Sequence, residues 1–183
     1  MFGCQLPMKK SRREIKAAVS PRALLLAIAF SLALVTVVLF GRTFSYPFIN
    51  FDDPAYILER PEITRGMTLD GIGWSLRHVH GGNWHPLTSI SHMLDCQWFD
   101  GHAGAHHFVN VLLHALTAST LFLVLRRMTG ALWRSASVAL LFAIHPLRVE
   151  SVAWIAERKD VLSGLFFMLT LAAYVRYIRA PSV

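Results

Sequence analysis

The sequence predicts an all-α integral membrane protein with about four transmembrane helices and a helical first extracytoplasmic loop. Hydrophobic residues make up 54% of its 183 residues and charged residues 16%, whereas an ordinary globular chain is roughly 25% charged. The apolar residues also come in continuous blocks near the length that crosses a bilayer. These blocks are residues 23–40, 108–125, 131–147 and 161–178.

The basic N-terminal tail, residues 1–22, predicts the orientation of the chain. Lysines and arginines clustered beside a first span are held in the cytoplasm. With the tail inside, most of the 18 Lys and Arg residues are cytoplasmic, and all but one of the 11 acidic residues lie outside. Block 23–40 is longer than the apolar core of a signal peptide, which indicates an uncleaved anchor. We therefore expect cytoplasmic termini, in a bacterial inner membrane or the endoplasmic reticulum.

The net charge of +7 does not indicate a nucleic-acid partner. The basic patch has no interleaved aromatic residues and no base-reading motif. Its position beside an apolar block is instead typical of a membrane protein.

The first extracytoplasmic loop, residues 41–107, is too apolar for a disordered linker. Thr68 has the side chain of a helix N-cap, and it is followed by apolar residues at helical spacing. Residues 86–99 form a second helical pattern that begins at Pro86. Short helices lying on the membrane surface are therefore expected in this loop.

The later blocks alternate with short connections. Block 108–125 is closed by arginines, and block 131–147 is the shortest and is interrupted by Pro146. Residues 148–160 form a short extracytoplasmic segment that leads into block 161–178. The sequence therefore predicts four spans, of which block 131–147 is the least typical.

Asp52 and Asp53 in the first loop are candidates for chemistry. A carboxylate can act as a general base if it reaches the proton of the acceptor. Pro54 disfavours helix at Asp53 and predicts an extended backbone, on which neighbouring side chains point to opposite sides. The alternative is a plain turn at the start of a surface helix.

A second group of polar residues is a candidate for binding phosphate. His85 lies between Trp84 and Pro86, where it could hydrogen-bond a phosphate or serve as part of an interfacial helix start. Charges at the end of a span are costly unless paired or hydrated. Charged residues of this kind could bind phosphate or form local ion pairs with one another. They are Arg148, Glu150, Arg158 and Lys159.

The nine histidines do not form a metal-binding pattern in the sequence. No His pair combines with a Cys or a carboxylate at the usual zinc spacing. No metal site and no cofactor is predicted, and a divalent cation is left as an unsupported option.

Several motifs in register, taken together, resemble a known family. They are residues 51–53, 83–88, 91–95, 106–114, 145–154 and 157–160. On these motifs the chain is similar to the N-terminal membrane part of the transmembrane and tetratricopeptide-repeat O-mannosyltransferase-like proteins, in the C-type glycosyltransferase superfamily. The resemblance runs from about residue 48 to residue 177.

The resemblance implies a partial C-type glycosyltransferase fold and a transferase activity. Members move a sugar, mannose-like here, from a polyprenyl-phosphate donor to a protein or glycan acceptor on the non-cytoplasmic side. By this resemblance Asp52 or Asp53 is the base, with Asp52 favoured and Asp53 as its support. Arg158 and Lys159, and less directly His85 and Arg148, would face the donor phosphate.

The family has more spans and then a repeat domain, whereas this chain ends at Val183 with no 34-residue repeat. We therefore expect an N-terminal portion, with a second chain as one source of the remaining spans and repeats. The alternative is an inactive fragment or a non-enzymatic membrane scaffold.

Overall fold

The computed structural model describes residues 20–79 and 81–180, which form helices and turns without a β-strand. The chain is an all-α membrane protein, as predicted. Nearly all of the predicted basic tail, residues 1–19, lies outside the described residues. The α-helices in chain order are α1 Pro21–Phe40, α2 Pro61–Thr64, α3 Leu69–Arg77, α4 Pro86–Phe99, α5 Ala103–Thr129, α6 Leu132–Ile144, α7 Arg148–Ala153 and α8 Arg158–Arg179.

Within the described residues, three helical stretches are long and apolar enough to cross a membrane. They are Pro21–Ser45, Ala103–Thr129 and Ile155–Arg179. The predicted block 131–147 instead forms α6, which has 13 residues. At 1.5 Å per residue α6 is about 20 Å long, less than the roughly 30 Å hydrocarbon core. His145 and Pro146 end it early, in extended backbone and a turn.

The long helices extend beyond the predicted apolar blocks. Helix α5 begins at Ala103 rather than at residue 108, because its first turns carry His106 and His107, which are polar but buried. Helix α8 begins at Arg158 rather than at residue 161, and Arg158 is also buried. Apolar composition therefore misses the first turns of these helices, where polar side chains are buried against the rest of the protein.

Helix α5 is the centre of the bundle and packs against α1, α6 and α8. Leu32, Phe122 and Ala139 form an apolar cluster between α1, α5 and α6. At the other end of α5, a Cβ added to Gly104 would lie 2.4 Å from the carbonyl oxygen of Phe44. Glycine therefore allows the start of α5 to approach the turn that follows α1.

The first loop, residues 41–107, folds into a small helical layer over one end of the bundle. Helix α3 begins after Thr68, whose hydroxyl accepts a hydrogen bond from the Gly71 amide at 3.0 Å, as the cap pattern predicted. Helix α4 spans residues 86–99, the predicted range. A buried apolar cluster joins this layer to the turn that precedes α8, and it consists of Tyr56, Ile57, Ile63, Met93, Cys96, Ile155 and Ala156.

Candidate functional site

The backbone at Asp53 is helical, with φ −56° and ψ −40°, so the prediction of an extended conformation is wrong. Asp53 precedes a π-helical turn, Pro54–Leu58, in which the Tyr56 amide donates to the carbonyl oxygen of Asp52. The preference of residues before proline for extended backbone is a local effect. Tertiary hydrogen bonds to the Asp53 carboxylate override it.

The two aspartates have different environments. Asp53 is 1% exposed, and its carboxylate accepts hydrogen bonds from the amides of Ile49 at 2.9 Å and Ala156 at 3.0 Å. Asp52 is half-buried. Asp53 thus ties the first loop to the segment that precedes α8, whereas Asp52 retains access to solvent.

Arg158 is the centre of a buried polar cluster. It is 0% exposed, and its Nη1 donates a hydrogen bond to Oδ2 of Asp95 in a close ion pair. Its Nε donates to Asn110 at 2.8 Å, and Nη1 also reaches the Ser91 hydroxyl at 3.1 Å. Its Nη2 donates to the carbonyl oxygen of His106 at 2.7 Å. Arg158 therefore connects α4, α5 and α8, and its charge is compensated inside the protein.

Two imidazoles extend this cluster. The Nδ1 atoms of His92 and His106 are 3.0 Å apart, and His106 Nδ1 is 2.9 Å from Asp95 Oδ2. His92, Asp95 and His106 are all buried and offer donor atoms within 4.8 Å of one another, which makes them the candidate metal ligands of the described residues. Arg158 already neutralises Asp95, so a divalent cation here would leave a net positive buried charge. The arrangement favours a hydrogen-bonded network over a metal centre.

A groove of about 490 Å³ opens between the start of α4 and one face of α8. Lys159 and His85 supply its ionisable groups, and Leu162 and Phe166 supply an apolar wall on α8. The other lining residues are Trp84, Pro86, Leu87, Thr88 and Ser163. The groove therefore combines a cation and an imidazole at one end with an apolar face that follows a membrane helix.

The polar end of the groove is organised around Tyr56. Its ring centroid lies 5.6 Å from Lys159 Nζ and 5.3 Å from the ring of His85. Lys159 is paired with Glu157, with 2.6 Å between Nζ and Oε1. Burial lowers the pKa of His85 below 6.5, and the Lys159 charge lowers it further against an opposing effect of Glu157. At neutral pH the imidazole is uncharged and can accept or donate a hydrogen bond.

The remaining predicted site residues lie elsewhere. Arg148 is 3.7 Å from Asp160 and stacks over the Phe142 ring at 4.9 Å. Glu150 is exposed on α7. Asp52, Arg148 and Glu150 are not among the residues that line the groove.

Sequence reasoning missed the partners of Arg158 and the apolar wall. Asp95 and His92 are three residues apart on α4 and so share a helical face, which was the available signal. Nothing in the linear sequence indicates that this face meets Arg158, which lies more than sixty residues away. The wall residue Phe166 was assigned to a span, and its position under Lys159 depends on the packing of α4 against α8.

The fold and this arrangement define an α-helical membrane protein with a polar candidate site at one end of its bundle. Similarity to curated proteins then confirms the suspected resemblance. Human protein O-mannosyl-transferase TMTC4 is 30% identical over 166 residues, which cover 79% of this chain and 22% of that protein. Drosophila melanogaster Tmtc2 is 32% identical over 99 residues, 54% of this chain and 11% of that protein. Xenopus laevis tmtc2 is 33% identical over 107 residues, which cover 57% of this chain and 13% of that protein.

The chain resembles these protein O-mannosyl-transferases at the level of a family. The matched part spans 11–22% of the length of these relatives. No family model matches the chain. No solved structure matches it either.

Proposed function

We propose that this chain is the N-terminal portion of a membrane glycosyltransferase. It would move a mannose-like sugar from a polyprenyl-phosphate donor to a hydroxyl of a protein or glycan acceptor on the non-cytoplasmic side. The observation that carries the proposal is the groove with Lys159 at its polar end and Leu162 and Phe166 along its wall. The names of the relatives, which are protein O-mannosyl-transferases, point to the same reaction class.

The groove has the two chemistries that a lipid-linked phosphate needs. Lys159, Leu162 and Phe166 follow one another at spacings of three and four residues, so they share a face of α8. The N-terminus of a long helix favours an anion, and Lys159 adds a full charge there. A phosphate would replace Glu157 as the partner of Lys159, and its prenyl chain would follow the apolar wall into the lipid.

Acceptor activation is assigned to Asp52. Its carboxylate would take the proton of the acceptor hydroxyl while that oxygen attacks the anomeric carbon. The bond from that carbon to the donor phosphate breaks with inversion, and polyprenyl phosphate leaves with its developing charge stabilised by Lys159. His85 would hydrogen-bond the phosphate, while Asp53 and Arg158 would hold the surrounding backbone.

Arg148 and Glu150 lie on α7 and do not line the groove, and their contact with the donor remains part of this proposal. The donor's lipid chain and the acceptor need more surface than this part of the relatives supplies. The proposal therefore includes further spans, supplied by the same protein or by a second chain. It also includes an orientation with cytoplasmic termini and a location in a bacterial inner membrane or the endoplasmic reticulum.

Sugar transfer in membranes that contain the chain tests this function. Transfer from mannosyl-phosphoryl-polyprenol is compared for wild type, Asp52→Asn and Glu59→Gln, an exposed carboxylate in the same loop. Loss of a general base costs about 100-fold or more, so Asp52→Asn should lose transfer and Glu59→Gln should keep it. Equal transfer by wild type and Asp52→Asn would remove Asp52 as the base. No transfer by wild type, even with the remaining spans supplied, would favour the non-enzymatic scaffold.

A further inference from the structure

We infer that the end of the bundle opposite the groove holds the headgroup of an anionic phospholipid. The site is a second cavity, of about 310 Å³, where α5 and α8 end. Arg127, Arg176 and Arg179 line it, together with Val175 and Ala180. This inference does not depend on the proposed sugar transfer.

The described residues at this end of the bundle carry positive charges without a neighbouring acidic side chain. Five arginines lie here, on the last turns of α5 and α8 and the start of α6, and they are Arg126, Arg127, Arg134, Arg176 and Arg179. The sequence has no Asp or Glu from residue 101 to 149 or from 161 to 183. None of the five takes part in an ion pair among the described residues. The repulsion between these like charges is relieved when an anion binds.

The hydrogen-bonding capacity of these side chains also exceeds what the described part of the chain uses. Arg179 Nη2 donates to the carbonyl oxygen of Arg127, which draws the ends of α5 and α8 together. Arg127 and Arg176 project exposed guanidinium groups around the same cavity. The Nε of Arg126 is buried without a hydrogen-bond partner within residues 20–79 and 81–180. Guanidinium groups in this number match phosphate oxygens, which they can bind in a bidentate manner.

The position of the cavity indicates a lipid rather than a soluble phosphate. Both helices are apolar enough to cross a membrane and end at this cavity. Trp133, Tyr174 and Tyr177 are largely exposed near the same end, and aromatic side chains of this kind lie at the headgroup level of a bilayer. Buried Val175 gives the cavity an apolar floor. A basic cavity between membrane helices at this depth fits an anionic headgroup.

The test compares how much phosphatidylglycerol and how much phosphatidylcholine the purified full chain retains. Bound lipid is counted by native mass spectrometry after release of the protein from mixed micelles. Arg176→Gln is the principal variant, because no side-chain hydrogen bond of Arg176 holds the helices together among those described. Arg134→Gln is the matched control, since it removes the same charge at the same end but does not line this cavity.

Wild type should retain phosphatidylglycerol over phosphatidylcholine. Arg176→Gln should lower that retention about fivefold, the effect of one cation at an anionic surface. Arg134→Gln should stay within about twofold of wild type, as a more distant charge does when salt screens it. Arg179→Lys keeps the charge and should lie between the two variants.

Several results would overturn the inference. Equal losses in Arg176→Gln and Arg134→Gln would mean a diffuse positive field rather than a site. Equal retention of the two lipids by wild type would remove the preference for an anion. Displacement of the lipid by inorganic phosphate at matched ionic strength would assign the cavity to a soluble anion. Circular dichroism confirms that each variant is folded before it is scored.

Discussion

Two pairs of sequence neighbours contrast sharply at the end of the bundle that the first loop covers. Asp53 and Arg158 are buried, and their charged groups are held by hydrogen bonds within the chain. Asp52 and Lys159, each one residue away, are half-buried, and Lys159 lines the groove. A charged motif therefore divides into residues that stabilise the fold and residues that remain open to a ligand, and adjacency in sequence does not distinguish them.

The largest effect expected from this contrast is on stability at Arg158. Arg158→Met would leave Asp95 buried without its cation, a change that costs about 3–5 kcal/mol. Lys159→Met is the matched control and should cost less than about 1 kcal/mol, because its pair with Glu157 is partly exposed. Thermal unfolding in detergent micelles measures both. Similar melting temperatures for the two variants would contradict the assignment of Arg158 to the fold.

Substitutions of Asp53 and Asp52 should also differ in their effect on stability, by less than the substitutions of Arg158 and Lys159. Asp53→Asn weakens the hydrogen bonds that its carboxylate accepts from Ile49 and Ala156, at a cost of about 1–3 kcal/mol. Asp52→Asn should leave the free energy of unfolding nearly unchanged. Chemical denaturation followed by tryptophan fluorescence gives both values, and the account is wrong if Asp52→Asn is the more damaging change.

The position of Tyr56 can be tested with two adjacent glycines. Gly81 and Gly82 have φ of +57° and +77°, so alanine is strained at both. A Cβ at Gly81 would also lie 2.3 Å from the Tyr56 ring, whereas at Gly82 it meets nothing within 4 Å. Gly81→Ala should therefore be less stable than Gly82→Ala by about 1–3 kcal/mol. Equal stabilities would place Tyr56 away from Gly81.

The smallest effect concerns the pH dependence contributed by His85. Burial lowers the pKa of His85 below 6.5, so the folded state binds fewer protons than the unfolded state. The stability linked to this group is present above pH 6.5 and is lost as pH falls through 6.5 towards the lowered pKa. His85→Gln should flatten the fall in melting temperature between neutral and mildly acidic pH relative to wild type. An unchanged slope in His85→Gln would place the imidazole in water.

Local patterns predicted much of the helical layer formed by the first loop and the membrane character of the chain. The Thr68 cap and the 86–99 helix depend on nearby residues, and both are confirmed. The helical backbone of Asp53 was not predicted, because it depends on an amide at Ala156, about a hundred residues away. Block 131–147 gave a helix that spans only part of a bilayer, since apolar composition does not show where a helix ends. The residues between α6 and α8 complete the return of the chain to the end of the bundle where α5 and α8 begin.

The candidate site was predicted as a set of residue types rather than as an arrangement. The sequence motifs gave Lys159, His85 and Arg158 the same predicted role. The structure brings Lys159 and His85 to one groove and buries Arg158. Burial of a charge depends on which helices meet, and spacing along a chain carries little of that information. The roles given to Asp52, Arg148 and Glu150 stay predictions.

Photo-crosslinking of a polyprenyl phosphate tests whether the groove binds the lipid-linked donor. A diazirine-bearing polyprenyl phosphate is irradiated with the full chain in membranes, and the labelled peptides are mapped for wild type, Lys159→Met and Lys159→Arg. The account predicts labelling on α8 near Leu162 and Phe166 that Lys159→Met reduces about tenfold and Lys159→Arg largely keeps, with the fold intact. Labelling spread evenly along the membrane helices, or equal labelling of wild type and Lys159→Met, would contradict it.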